Sequence, residues 1–198
     1  MLTFSVGLTA QDQTEISAVN KRTYIGHLTS SHFILTHKRD TVLSLSQDNY
    51  FAFKFSDFNE DGFKDIYLEW CGNMPGRFDL YEFIPSTNKF KKVDHFSDFP
   101  LATRIRSTKY YYSYYPSGCA DEAWGSYLFY IDKMKRAIKL AKIKKDGCAP
   151  NDNVVIYKIY GQRQIALATL PITIVDKYKG KKWEFIERYW AEHYHRFL

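Results

Sequence analysis

Segments such as RTYIGHL (22–28), HFILTH (32–37), TVLSLS (41–46) and VVIYKIYG (154–161) leave this chain little choice but a β fold. Each is a short β-branched or aromatic run bounded by polar or turn-forming residues, and such runs recur about every eight to twelve positions. YFAFKFSDF (50–58) and DIYLEW (65–70) flank an acidic stretch. RFDLYEFI (77–84) turns through PSTN into KFKKVDHF (89–96), where Pro, Ser and Asn suit a hairpin turn. TRIRSTKYYYSYY (103–115) reads as one long strand, and ITIVDKY (172–178) and KWEFIERYW (182–190) continue the β pattern. Short helices suit SAVNKR (17–22) or the terminal RYWAEHYHRF (188–197). The expectation is an all-β single domain over 11–198, with mostly antiparallel strands arranged as a sandwich or open barrel.

At 198 residues the chain is long enough for a sizeable core. The formal net charge of +6 admits anionic partners, but the Lys and Arg residues are dispersed. With no basic block, zinc-finger spacing or reader motif, nucleic acid is not an expected partner. No segment has the ~18 continuous apolar residues of a membrane span.

DFNEDGFKD (57–65) gathers carboxylates around a glycine in a basic chain. A hard divalent cation takes side-chain oxygens from positions 1, 3, 5 and 9 of such a loop, and a backbone carbonyl from position 7. Those positions are Asp57, Asn59, Asp61 and Asp65, with the carbonyl of Phe63. Gly62 permits the sharp turn. An all-oxygen donor set favours Ca2+ over zinc or copper. Leu68 occupies position 12, so the bidentate Glu of an EF-hand is absent, and strands flank the loop. The alternative is a metal-free turn in which Asp and Asn cap the backbone themselves.

MLTFSVGLTA (1–10) reads as the remnant of a secretory signal, a short apolar run ending in Ala10 before polar residues. An ordinary first strand is the alternative. Three cysteines leave one over if a pair forms. WGSYLFYIDKMKRAIKLAKI (124–143) reads as a hairpin turning at Lys133–Met134, which sets Phe129 opposite Ile138 and Tyr127 opposite Leu140. Extending that register places Cys119 opposite Cys148, close enough for a disulfide worth roughly 3 kcal/mol. A pair of buried free thiols is the alternative. Cys71 is expected to be a small buried hydrophobe.

DFNEDGFKDIYL resembles the D-x-N-x-D-G-x-x-D loop of FG-GAP and VCBS-type calcium-binding repeats. From about Phe51 to Leu140 the succession is also similar to a family of small extracytoplasmic all-β proteins. It comprises the loop, DIYLEWCGN, the FDLYEFIPSTNKF hairpin and SGCADEAWGSYLFYIDKMKRAIKL. Members of that family inhibit, or confer immunity to, lysozyme-like peptidoglycan hydrolases. The resemblance implies an exported, non-enzymatic protein with a peptidoglycan hydrolase as partner; a glycan is the alternative partner, suggested by the tyrosines. Some lysozyme inhibitors insert a Ser-Gly loop into the enzyme cleft. Ser117 and Gly118 resemble that feature, although the Tyr that often follows is missing, and an ordinary turn is the alternative.

Counting every second residue along 103–115 puts Arg104, Arg106, Tyr110, Tyr112 and Tyr114 on one strand face. Such a stripe could engage an acidic cleft or stack on sugars, and its alternative is ordinary sheet core. The histidines assemble no site, and no nucleophile motif accompanies the acidic loop. Lys181 and Lys182 read as a solvated turn. The functional expectation is an inhibitor or immunity protein, with a glycan-binding or structural envelope module as the alternative.

Overall fold

The computed structural model describes residues 12–46, 50–72, 76–145, 147–149 and 152–198, so the expected leader, 1–10, lies outside the described residues. The fold is all-β with few helices. Its strands sort into two compact units, one holding the chain through Asn73 with Phe78–Lys92, the other Met74–Arg77 with Val93–Leu198. Each unit has its own apolar cluster, and no linker composition marks the boundary between them.

The first unit contains two four-stranded antiparallel sheets. β1 (Gln13–Val19), β2 (Arg22–Leu28), β3 (His32–His37) and β4 (Asp40–Ser46) form one meander. β5 (Tyr50–Ser56), β6 (Asp65–Trp70), β7 (Phe78–Ile84) and β8 (Lys89–Lys92) form the other. Period-2 alternation sends Tyr24 and Leu28 of β2, Phe33 and Leu35 of β3, Phe53 and Phe55 of β5, and Ile66 and Leu68 of β6 into one shared core. Fully burying each such side chain is worth about 1.5–3 kcal/mol. Phe33 meets Phe53 edge-on at 5.0 Å. A Cβ on Gly26 would stand 2.5 and 2.8 Å from Phe53 ring atoms, so this ring needs a glycine beneath it. The helix expected over 17–22 is instead the end of β1 and a two-residue turn into β2. Asn20 (φ 49°) and Lys21 (φ 62°) both take the left-handed conformation that such a hairpin requires.

The second unit is built on a seven-stranded sheet. Its strands are β9 (Thr103–Arg104), β10 (Tyr110–Tyr112), β11 (Tyr115–Gly118), β12 (Ala123–Ile131), β13 (Ala137–Lys145), β14 (Val154–Tyr160) and β15 (Arg163–Leu170). The order is β15-β14-β13-β12-β10-β9, with β11 also paired to β12, and the sheet does not close into a barrel. One face packs on the helices α1 (Thr173–Asp176) and α2 (Lys181–His193). The strands expected at 172–178 and 182–190 are therefore helical. In KWEFIERYW the apolar residues recur at helical spacing, which buries Phe185, Ile186 and Trp190 together, and Glu184 pairs with Arg188 one turn on at 2.7 Å. The buried Trp190 indole donates to Ser126 Oγ at 2.8 Å, fixing the helix to β12.

Two strand registers also differ from expectation. The β12–β13 turn holds three residues, not two: Asp132 N bonds Arg136 O, and Lys135 is left-handed at φ 66°. Tyr130 therefore faces Ile138, and Phe129 faces Lys139. A bulge at Leu128/Phe129 slips the remainder once more, so that Tyr127 faces Lys142. The long strand expected over 103–115 is broken by a turn at Ile105–Thr108, closed by Thr108 N on Ile105 O at 3.1 Å.

Candidate functional site

The acidic turn lies between β5 and β6 as expected. Gly62 has φ 89°, a conformation that a side chain would strain. Asp57 accepts from Asp61 N (3.1 Å) and Gly62 N (2.9 Å), Asn59 Oδ1 from Asp61 N (3.0 Å), and Asp61 from Phe63 N (2.9 Å). Asp65 turns inward and is wholly buried. Its oxygens accept from Phe58 N at 3.0 Å and Phe83 N at 2.9 Å, tying the turn to β7. Burial pushes its carboxyl up to about 7 against the pull of those two amides, and the nearby Glu82 and Asp61 charges push the same way. Among the described residues, no three His, Cys, Asp or Glu side chains converge as a ready metal site. The donors suit a hard cation by chemistry, because a carboxylate oxygen accepting one amide keeps a further lone pair.

The arginine–tyrosine stripe does not form, because the turn at Ile105–Thr108 separates its ends. Arg104 is half-buried, its Nε donating to Thr108 O at 2.7 Å, while Arg106 is exposed. Tyr110 leans on Tyr194 at 5.4 Å, and Tyr112 is half-buried against the helix-side core. Tyr114 is buried, with its ring 4.0 Å from that of Trp183. The tyrosines are mostly packing, as the alternative had it.

Cys119 and Cys148 form a disulfide with Cα atoms 5.6 Å apart. They are not facing strand positions: Cys119 follows β11 and Cys148 follows β13, so the bridge joins two loops. Ser117 and Gly118 lie exposed immediately before it, but as the last residues of β11, with Gly118 paired to Ala123 of β12, so they form neither a loop tip nor an ordinary turn. From Gly118 (φ 138°) through Cys119 (φ 53°), Ala120 (φ 48°) and Asp121 (φ 76°) the backbone stays at positive φ. Such a run persists only where its surroundings hold it. Here the bridge holds one end, and at the other the Asp121 carboxylate accepts from the Tyr114 hydroxyl and the Lys182 ammonium. Lys182 Nζ also donates to Asp121 O at 3.0 Å. Burial pushes the Tyr114 hydroxyl well above its ordinary value, and its bond to Asp121 adds to that.

Lys182 is thus an anchor for the loop and not part of a solvated turn, because Lys181–His193 is a helix. Asp121, Lys145 and Trp183, which surround the same region, carry no sequence signal, since only the fold brings them together. Cys71, expected to be buried, is exposed as a free thiol because β6 ends one residue earlier.

Antiparallel sheets, with an Asp/Asn-rich turn in one unit and a cystine-anchored loop in the other, make this an all-β protein. No protein family and no curated protein matches the chain. Among solved structures it is similar to a Xanthomonas type IV secretion system related protein, at 11% identity and a TM-score of 0.47. That likeness covers 81% of this chain and 86% of the other. At this level it leaves function to be argued from the residues. No helix among the described residues is long and apolar enough to cross a membrane.

Proposed function

We propose that this is an exported, non-enzymatic β protein, stiffened by calcium, that binds and inhibits a lysozyme-like cell-wall hydrolase. The observation that carries the reading is the exposed Ser117–Gly118 end of β11, which runs directly into the Cys119–Asp121 loop fixed by the Cys119–Cys148 bridge and the Tyr114–Asp121–Lys182 contacts. A segment fixed before contact loses little conformational freedom on docking, so more of its contact energy appears as affinity. The disulfide fits an oxidising, extracytoplasmic compartment. Calcium held by Asp57, Asn59, Asp61, Asp65 and the Phe63 carbonyl would neutralise the crowded carboxylates and fix the β5–β6 connection. Sites of this kind in extracellular modules fill at about 10⁻⁴–10⁻³ M calcium.

The test is a lysis assay with lysozyme-type hydrolases, comparing the parent with Ser117→Arg. The parent should inhibit, and the variant should lose inhibition while melting at the same temperature. Inhibition of no hydrolase, with retention on a polysaccharide column, would favour the second reading, a glycan-binding module. That reading has its own observation. The rings of Tyr115 and Tyr127 stack at 5.4 Å beside a cavity of about 370 Å³, with Lys139 and Lys142 ammoniums 5.1 and 5.4 Å from the Tyr127 ring.

A further inference from the structure

Beneath the disulfide loop, in the second unit, a cavity of about 510 Å³ opens between β12, the end of β13 and the start of α2. That volume lies in the range of small-ligand clefts, roughly 300–1,000 Å³. Lys145 lines it and is only 2% exposed. An ammonium carries three donors, and burial without acceptors is costly. Among the described residues, the acceptor Lys145 Nζ finds is the Gly147 carbonyl, at 2.8 Å. The opposite wall adds Lys179 and Lys181, with Lys182 already paired to Asp121. Of the three lining carboxylates, Asp121 is occupied by Lys182 and Tyr114. Glu122 and Asp176 also line the cavity and are exposed to solvent, whereas Lys145 is buried. The helix α2 also begins at this wall, where Glu184 Oε2 accepts from Gly180 N at 2.8 Å and offsets part of the positive end of its dipole. Trp183, half-exposed, supplies an apolar face beside the charges.

We infer that this cavity binds an oxyanion, a carboxylate or a phosphate group, seated on Lys145 with its carrier lying against Trp183. The pocket is separable from the hydrolase reading, because Lys145, Lys179 and Trp183 take no part in that reading, although both involve the Asp121–Lys182 pair. Free phosphate and a carboxylated sugar share the chemistry and differ in the carrier.

The test titrates inorganic phosphate and, separately, glucuronate into the oxidised full chain at constant ionic strength, following the Trp183 indole and the amides of Gly180–Trp183 by NMR. At least one anion should give saturable shifts confined to this wall. Saturation by phosphate alone identifies a phosphoryl ligand, and saturation by glucuronate identifies a carboxylated one. Lys145→Met keeps the length and apolar stem of the side chain, and it should weaken binding about tenfold or more, as loss of a charge-assisted bond does. The exposed Lys91→Met should leave binding unchanged. If Lys145→Met does not fold, the double variant Lys179→Gln, Lys181→Gln should weaken binding instead. Shifts that never saturate with either anion, or binding that survives the lysine substitutions unchanged, would overturn the inference.

Discussion

The Tyr114 hydroxyl donates to the Asp121 carboxylate, which also receives the Lys182 ammonium, so one residue of the loop is gripped from the sheet and from the helix at once. Tyr114→Phe removes one of the two donors and should lower stability by about 1.5–3 kcal/mol, the scale of a hydrogen bond to a charged group. The loss should be smaller in an Asp121→Asn background. Equal losses in both backgrounds, measured by denaturant unfolding, would show that the two side chains are not coupled.

Burial pushes the Asp121 carboxyl up, but hydrogen bonds from Lys182 and Tyr114 outweigh it and hold the group below the ordinary carboxylate range. A carboxyl depressed on folding adds stability above its unfolded pKa and loses it as the pH falls through the folded value. Protection of the 119–122 amides, relative to their intrinsic exchange at each pH, should therefore fall on acidification below about pH 4, and Asp121→Asn should abolish that dependence. Titration of Asp121 at or above the ordinary carboxylate value would contradict the assignment.

The acidic turn predicts a calcium-dependent melt. Adding calcium should raise the melting temperature, chelator should reverse the gain, and Asp61→Ala should remove both responses. The turn's own hydrogen bonds make the outcome informative, since a metal-free cap would give a parent melt indifferent to chelator.

Reducing the disulfide, or replacing both cysteines by alanine, should cost roughly 3–4 kcal/mol for a closure whose ends are 29 residues apart. Inhibition should fall further than stability does, because the loop that continues from Ser117–Gly118 loses its tether. A reduced protein that inhibits as well as the oxidised one would separate the bridge from function.

Gly26→Ala places a methyl group against the Phe53 ring in the first unit's core. Overpacking of this kind costs about 1–3 kcal/mol. Denaturant unfolding checks it, and a neutral outcome would mean that Phe53 can move aside.

Much of the strand content was legible because alternation is local: Tyr24, Leu28, Phe33 and Leu35 declare their faces within a few residues. The acidic turn was equally local, with Gly62 and its Asp and Asn neighbours placed by spacing. Register was not. A single left-handed Lys135 adds a residue to the β12–β13 turn, and a bulge adds another, yet neither has a glycine to announce it. The two-residue turn pairs Cys119 with Cys148 by a register the sheet does not adopt, and the bridge forms because both cysteines fall in loops. The α2 segment suits a strand in sequence because aromatic residues fit both structures, and only burial against β12 selects the helix. Lys145 and Lys182 look like ordinary surface lysines in sequence. Sheet pairing and helix docking give them their roles.

Hydrogen–deuterium exchange of the oxidised protein, with and without a lysozyme-type hydrolase that it inhibits, tests the recognition claim most directly. The prediction is protection concentrated over residues 115–122, with the opposite end of the β12–β13 hairpin unchanged. Protection absent from 115–122, or centred on another surface while inhibition persists, would contradict it.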